Sequence, residues 1–427
     1  MRIKIKNGKS LVIFGAVFCL LNILLSGQNF SLGGYYKNFF VIVDPSELMR
    51  SAGSSFSDRL IGLVNHRLRL HASVDLSHGL HLSTAYALSP RIQDPVLFNE
   101  DIFLVDVDAY GYRAADLNTR MYPKEMAGTE SFAVFQNLDR LVLSIATEST
   151  DIYIGRQAVA WGSARVINPT DIIAPFALQE LDKEERVGVD AVRVRIPWGF
   201  MGEVDMGYVF GNDFYFKNSA FFLRAKNYIK KTDISLLLLG FRRNLLLGLD
   251  VARSIGGAGF WLEGGYVIAD FFIDRESGEA DDYFRLSTGL DYSLSNKTYG
   301  FMEYHFNSGG AAQPKDYLTN LSNLALSEGA VFLLGKHYLI PGINYQITPL
   351  IVLTAEVLLN LSDWSLFTAP VVEYNLSQNV YISAGGFFGF GKKPEPVPNS
   401  GLMQLLTLRS EFGSYSNAVY TSFRIYF

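Results

Sequence analysis

The densest run of ionisable and turn-forming side chains lies between Leu138 and Arg195. It holds Asp139-Arg140, Gly155-Arg156-Gln157, Trp161-Gly162, Asn168-Pro169-Thr170-Asp171 and Ala174-Pro175-Phe176. Glu184-Glu185-Arg186, Gly188-Val189-Asp190 and the pair Arg193 and Arg195 follow. Charges of both signs at this spacing suit either an ion-paired loop or a charged constriction that filters solutes. In that arrangement Arg156 faces inward and pairs with Asp171 or Glu184. Asn168-Pro169 sets an extended residue before a turn, where the Asp171 carboxylate can bond turn amides.

The six histidines are His66, His71, His78, His81, His305 and His337. The first four fall in a single alternating segment that reads as a hairpin, with Asp75 and His81 as cross-strand neighbours. A His–carboxylate pair can serve a hydrolase or a metal. The sequence has no Gly-x-Ser-x-Gly, phosphate-loop, His-Glu-x-x-His or EF-hand pattern. The reading is therefore no catalytic residue, no metal site and no cofactor. His66, His71 and His81 are assigned to polar lumen faces and His78 to a turn. Trp161, Trp198, Trp261 and Trp364 are assigned to the membrane interface.

The elements that must position these groups begin after a leader. Met1–Ser10 carries Arg2, Lys4, Lys6 and Lys9 and no acid; Leu11–Leu25 is apolar apart from Asn22; small Ser26 and Gly27 follow. This is the pattern of a secretory signal peptide over 1–27, and its apolar core is shorter than the roughly 20 residues of a spanning helix. Cys19, the only cysteine, lies inside that core, so residues 28–427 carry no disulfide. Of 37 Lys and Arg, four lie in the leader. The remaining 33 face 42 Asp and Glu, a balance of −9. That argues against a nucleic-acid partner.

The chain is 49% apolar and 14% aromatic. Its best candidate for a spanning helix, Leu339–Ala355, is broken by Pro341, Gly342 and Pro349. An apolar chain without spanning helices crosses a membrane as a closed barrel, since lipid leaves backbone groups no other partners. The alternation agrees. Leu68, Leu70, Ala72, Val74 and Leu76 alternate with Arg67, Arg69, His71, Ser73 and Asp75. Phe284, Leu286, Thr288, Leu290 and Tyr292 alternate with Arg285, Ser287, Gly289 and Asp291; Met302, Tyr304 and Phe306 alternate with Glu303, His305 and Asn307. An Arg on the lipid face at mid-bilayer costs about 2–4 kcal/mol, so the charged rows face the lumen. Arg67, Arg69, Arg156, Asp171, Glu184, Arg186, Arg193, Arg285, Asp291 and Glu303 are thus the candidates for a pore or constriction, with Glu203 and Asp205 beside them.

Turn signals divide 28–427 into one antiparallel transmembrane β-barrel of about 18 strands, with 16 and 20 open. The strand set includes 401–411 and leaves 30–43 and 101–113 ambiguous between strand and loop. Short links at Glu148-Ser149-Thr150, Arg243-Asn244 and Ser377-Gln378-Asn379 suit the periplasmic end. Long loops are expected at 90–137, 159–186, 271–281, 308–331 and 392–400, with 159–186 structured over or within the lumen. Phe423, Ile425 and Phe427 share one face of the closing strand and look like the C-terminal signal read by the barrel-assembly machinery.

The Gly-Arg-Gln, Trp-Gly and Asn-Pro-x-Asp elements at 155–157, 161–162 and 168–171 resemble the signature of a group of uncharacterised, porin-like bacterial outer-membrane proteins. The resemblance covers about 60 residues clearly and implies location and fold more than activity. The expectation is a porin-like channel for passive diffusion of small solutes, in contact with outer-membrane lipid, with a homo-oligomer left open. Two alternatives stand beside it: a normally closed barrel that exports a polymer or secreted component with a periplasmic partner, and an outer-membrane enzyme. A lumen filled by 159–186 would favour export.

Overall fold

The computed structural model describes residues 29–52, 59–99, 110–117, 119–123, 131–273, 281–322, 333–396 and 406–427. The expected signal peptide lies outside them. Eighteen barrel strands follow in order: β1 Phe30–Asp44, β2 Ile61–Ser77, β3 Leu80–Gln93, β4 Phe132–Ala146, β5 Asp151–Gln157 and β6 Val189–Trp198. Next come β7 Gly202–Val209, β8 Ala220–Ile229, β9 Thr232–Phe241, β10 Asn244–Ile255, β11 Ala258–Ile268 and β12 Tyr283–Ser295. The last are β13 Thr298–Asn307, β14 His337–Thr348, β15 Ile351–Asn360, β16 (Ser365–Thr368 and Val371–Ser377), β17 Val380–Phe390 and β18 Asn417–Tyr426. Each strand pairs antiparallel with the next. β1 closes on β18 from Tyr35↔Tyr426 to Asp44↔Asn417. Closure leaves the sheet without an edge, as a bilayer requires. β16 is interrupted at Ala369-Pro370, where proline lacks the ladder donor.

Eight links of two to four residues, from 78–79 to 378–379, share one end with the start of β1 and the end of β18. All the long loops lie at the other end. In transmembrane barrels short turns mark the periplasmic end, and by that rule the end with the short links is called periplasmic. Strand faces follow the alternation of period two. In β12, Arg285, Ser287 and Asp291 are buried against the lumen contents while Leu290 is exposed. In β13, Glu303, His305 and Asn307 are fully buried and Met302 is exposed.

The expected strand count holds, with one exchange in membership. The ambiguous stretch 30–43 is β1. The stretch 401–411 is not a barrel strand: 401–405 lie outside the described residues, Leu406–Thr407 pairs only with Glu395–Pro396, and Leu408 packs against loop residues Ala311 and Tyr317. Leu408 thus serves a loop core instead of lipid. Of 101–113, residues 101–109 lie outside the description and Tyr110–Tyr112 is a 3-10 turn.

Three placements differ from the sequence reading. The Arg242-Arg243 link joins β9 to β10 at the long-loop end, because β9 starts from a periplasmic turn. His66 lies on the outer face, where Nδ1 is 2.7 Å from Tyr36 Oη; its parity in β2 is opposite to that of Arg67 and Arg69. Trp161 and Trp261 are buried inside the barrel at 8% and 2% exposure, whereas Trp198 and Trp364 are exposed near strand ends. Both inner indoles find carboxylates, Asp205 and Glu303, at 3.1 Å, which accounts for the difference.

Candidate functional site: a loop fastened inside the barrel

The segment 158–188, between β5 and β6, turns into the lumen and is bonded to both walls. Its first limb runs along the inner face of β7 and β10–β13. Val159, Trp161, Ile172 and Ile173 pack with Phe222, Leu237, Leu239, Leu246 and Val267, so the half of the lumen nearer the long loops holds an apolar cluster. The Trp161 ring meets Phe222 edge-on, with centroids 4.6 Å apart. A second apolar cluster, with Phe39, Val41, Tyr338, Phe367 and Phe412, takes Val166, Ile167, Leu178 and Leu181 of the same loop.

Two lumen carboxylates set the loop backbone. Glu263 of β11 accepts hydrogen bonds from the amides of Ala164 (3.1 Å) and Thr170 (3.0 Å) and from Thr170 Oγ1 (2.7 Å). Glu303 of β13 accepts from the amides of Arg165 (2.7 Å), Val166 (3.3 Å) and Ile167 (3.0 Å) and from Trp261 Nε1. Both are fully buried, and among the described residues neither forms an ion pair. A buried charge must be paired or hydrogen-bonded, and here backbone amides supply the compensation. Arg285 of β12 donates to Pro169 O (2.8 Å) and Ser287 Oγ to Ile167 O (2.6 Å). The Asn168–Asp171 turn is thus gripped from adjacent strands. Gly162, at φ +112, has no room for a Cβ because the Glu263 carboxylate and the Asn168 amide fill that space, which explains the glycine of Trp-Gly.

The return limb fastens to the opposite wall. Lys37 of β1, fully buried, holds Asp182 at 2.9 Å and Glu184 at 2.5 Å. Arg67 of β2 reaches Asp182 at 3.1 Å, and Arg69 pairs with Asp139 at 2.7 Å and Glu185 at 2.5 Å. Tyr426 Oη of β18 donates to Glu184 at 2.7 Å. Within the loop Arg186 pairs with Asp171. Burial pushes the Asp171 carboxyl up to about 6 despite the Arg186 guanidinium. For Asp182 burial opposes ionisation, but Lys37 and Arg67 outweigh it and hold its carboxyl below the ordinary range.

The expected partnership of Arg156 with Asp171 or Glu184 is corrected. Arg156 is 6% exposed and donates to Asp190 (2.7 and 3.0 Å), Asp116 (2.8 Å), Leu138 O and Ala115 O. The rim of the short strands β5 and β6 is covered there by 113–117, and Gly155, at φ +118, lies against Leu141 O. Arg156 is a clamp in the wall, with every donor used.

Beneath the loop, toward the periplasmic end, lies a chamber of about 400 Å³ roofed by Trp161, Gly162 and Ser163. Its walls hold Arg193, which pairs with Asp205 at 2.6 Å, and Arg195, which pairs with Glu203. Lys226 pairs with Asp233 at 3.2 Å. Arg224 and Asp250 complete the charged lining. Asp291 holds Arg165 of the loop at 2.6 Å. Sequence reasoning missed Lys37, Arg165, Asp182, Arg224, Asp250 and Glu263. Glu263 shares the parity of Trp261 and Gly265 in β11, and that parity is the signal that would have placed it inside. The Asp75–His81 pair forms as expected, at 2.8 Å, but at an exposed turn.

No protein-family model matches the sequence, and no curated protein matches it. Solved structures do match over nearly the whole length. OccAB2 of Acinetobacter baumannii superposes with a TM-score of 0.57 at 9% identity, covering 93% of this chain and 98% of that one. OccK8 (OprE) of Pseudomonas aeruginosa gives 0.55 at 8% identity, over 93% and 98%. The outer membrane protein OprD of Pseudomonas aeruginosa gives 0.52 at 7% identity, over 94% of each chain. At these identities the likeness is one of fold: a closed barrel of 18 antiparallel strands, the architecture this chain shares with those proteins.

Proposed function

We propose that the chain is an outer-membrane channel through which small solutes diffuse passively. The carrying observation is the charged chamber of about 400 Å³ that remains beneath the loop 158–188, so that the loop narrows the lumen without filling it. Barrels of 16–18 strands are wide enough for an aqueous passage, and an inward loop with charged walls narrows it to a filter. The Gly-Arg-Gln, Trp-Gly and Asn-Pro-x-Asp elements fit this reading as the parts that turn the chain inward and grip it. Export behind a leader at 1–27, insertion by the barrel-assembly machinery and residence among outer-membrane lipids belong to the same proposal.

The test is single-channel recording of the refolded barrel in a planar bilayer under a salt gradient. Discrete conductance steps with a measurable reversal potential are expected. A silent membrane with insertion verified would overturn the channel reading. It would favour the closed export barrel, which the two apolar clusters around the loop support.

A further inference from the structure

The chamber walls carry one opposed pair of charges that the protein itself leaves incompletely matched. Arg193 is held by Asp205, Arg195 by Glu203 and Lys226 by Asp233. Arg224 of β8 has its Nε on Ser235 Oγ at 2.7 Å, with Glu203, already bound to Arg195, no nearer than 3.7 Å. Asp250 of β10 has the hydroxyl of Ser163 and, among the described residues, no ion pair. Of the strand between them, β9, Asp233 is taken by Lys226, and Ser235 is the register partner of Asp250 and the hydrogen-bond partner of Arg224. Both groups line the same cavity beneath the Trp161 roof.

We propose that Arg224 and Asp250 form a binding site for zwitterionic solutes of the α-amino acid type, the carboxylate on Arg224 and the ammonium on Asp250. A planar guanidinium suits a carboxylate, and an acceptor-only carboxylate suits an ammonium. A solute bearing one charge satisfies one side and leaves the other as it was. A zwitterion satisfies both and brings no net charge into a site already balanced by three ion pairs. The two serines hold the charged groups in place and can yield their hydrogen bonds to the solute. The cavity falls within the size range of small-molecule sites. The proposal rests on the channel reading only for the statement that this chamber lies on a solute's route.

The experiment is calorimetric titration of the folded full-length barrel in detergent micelles at pH 7. The probes are L-alanine and its two single-charge halves, propionate and ethylammonium. Alanine is expected to bind roughly tenfold or more tighter than either half. Asp250→Asn should bring alanine down to the level of propionate, and Arg224→Gln should bring it down to that of ethylammonium. Equal binding of all three probes, or an alanine preference that survives both substitutions, overturns the site. Each variant reports on one half, so if one fails to fold the other still decides. Conductance is read separately. A conducting barrel without alanine preference sinks the site and leaves the channel; alanine preference in a barrel silent in bilayers does the reverse.

Discussion

At the scale of single residues, the lumen separates charges that hold structure from charges a solute can meet. Arg156 belongs to the first kind. Its guanidinium makes five hydrogen bonds to Asp190, Asp116 and two carbonyls. Replacing it with alanine leaves Asp190, about one-fifth exposed, without an ion pair among the described residues, and leaves Asp116 to Arg113 alone. Arg156→Ala should therefore lower barrel stability by about 3 kcal/mol or more and leave the reversal potential unchanged. Urea unfolding in micelles, followed by the shift in gel mobility, reads the first effect and bilayer recording the second. A changed selectivity with intact stability would return Arg156 to the pore. The sequence displayed this arginine but not its partner, because Asp116 comes from a loop some 40 positions earlier and no periodicity connects the two. Lys37 was hidden for another reason: the stretch that holds it mixes Gly33-Gly34 and Tyr35-Tyr36, which blurs the alternation that would have shown its parity.

At the scale of elements, buried carboxylates fasten the first limb of the loop 158–188 and tie chain segments together at the mouth. Glu303 collects three consecutive loop amides, so Glu303→Ala should free 165–167 from the wall. Open-channel current noise should rise and mean conductance should change, while Glu303→Gln, which keeps an acceptor, should show less of both. Quiet, unchanged currents in Glu303→Ala would mean that the apolar contacts alone fix the loop. At the mouth, Glu411 ties together three chain segments: it accepts from the Leu334 amide (2.8 Å), Tyr338 Oη (2.5 Å) and Asn360 Nδ2 (2.7 Å), and its own amide donates to Asp363. Burial pushes the Glu411 carboxyl up to about 7, and the charge of Asp363 adds to the rise against the hydrogen bonds of Tyr338, Leu334 and Asn360. A carboxyl raised on folding stabilises fully below its unfolded range, near 4.5, and that contribution is lost as the pH climbs through about 7. Hydrogen-exchange protection at 333–336 and 411–415, corrected for intrinsic rates, should thus fall between about pH 4.5 and pH 7 and level off above that, and Glu411→Gln should flatten the dependence. The tie was not legible in the sequence, since 401–411 reads as a strand by its apolar residues alone.

At the scale of the whole molecule, the barrel was legible because lipid imposes one rule on every strand. Arg67 and Arg69, Arg285 and Asp291, and Glu303 all fall on the parity that spares the bilayer their charge, and the structure puts each inside. What fills the lumen obeys no such rule. The loop 158–188 meets β1, β2, β7, β10–β13 and β18 through contacts between residues 44 to 242 positions apart, and only its composition hinted at an ion-paired fold. The seam between β1 and β18 is the point where these two levels meet. Phe423 and Ile425 lie in register with Asn38 and Tyr36 on the face opposite Ser422, Arg424 and Tyr426. Phe427 adds two backbone bonds to Gly34, at 2.8 and 3.0 Å, with its side chain largely exposed. Deleting Phe427 removes two hydrogen bonds from a long ladder, a net loss of about 1–3 kcal/mol, so the purified chain should still refold into micelles with little change in its unfolding midpoint. If Phe427 is also the group read by the assembly machinery, the amount of folded barrel in the outer membrane of producing cells should drop much further than that loss of stability accounts for. Equal, small effects in both settings would make Phe427 an ordinary end of strand; failure to refold in vitro would assign its role to closure of the seam.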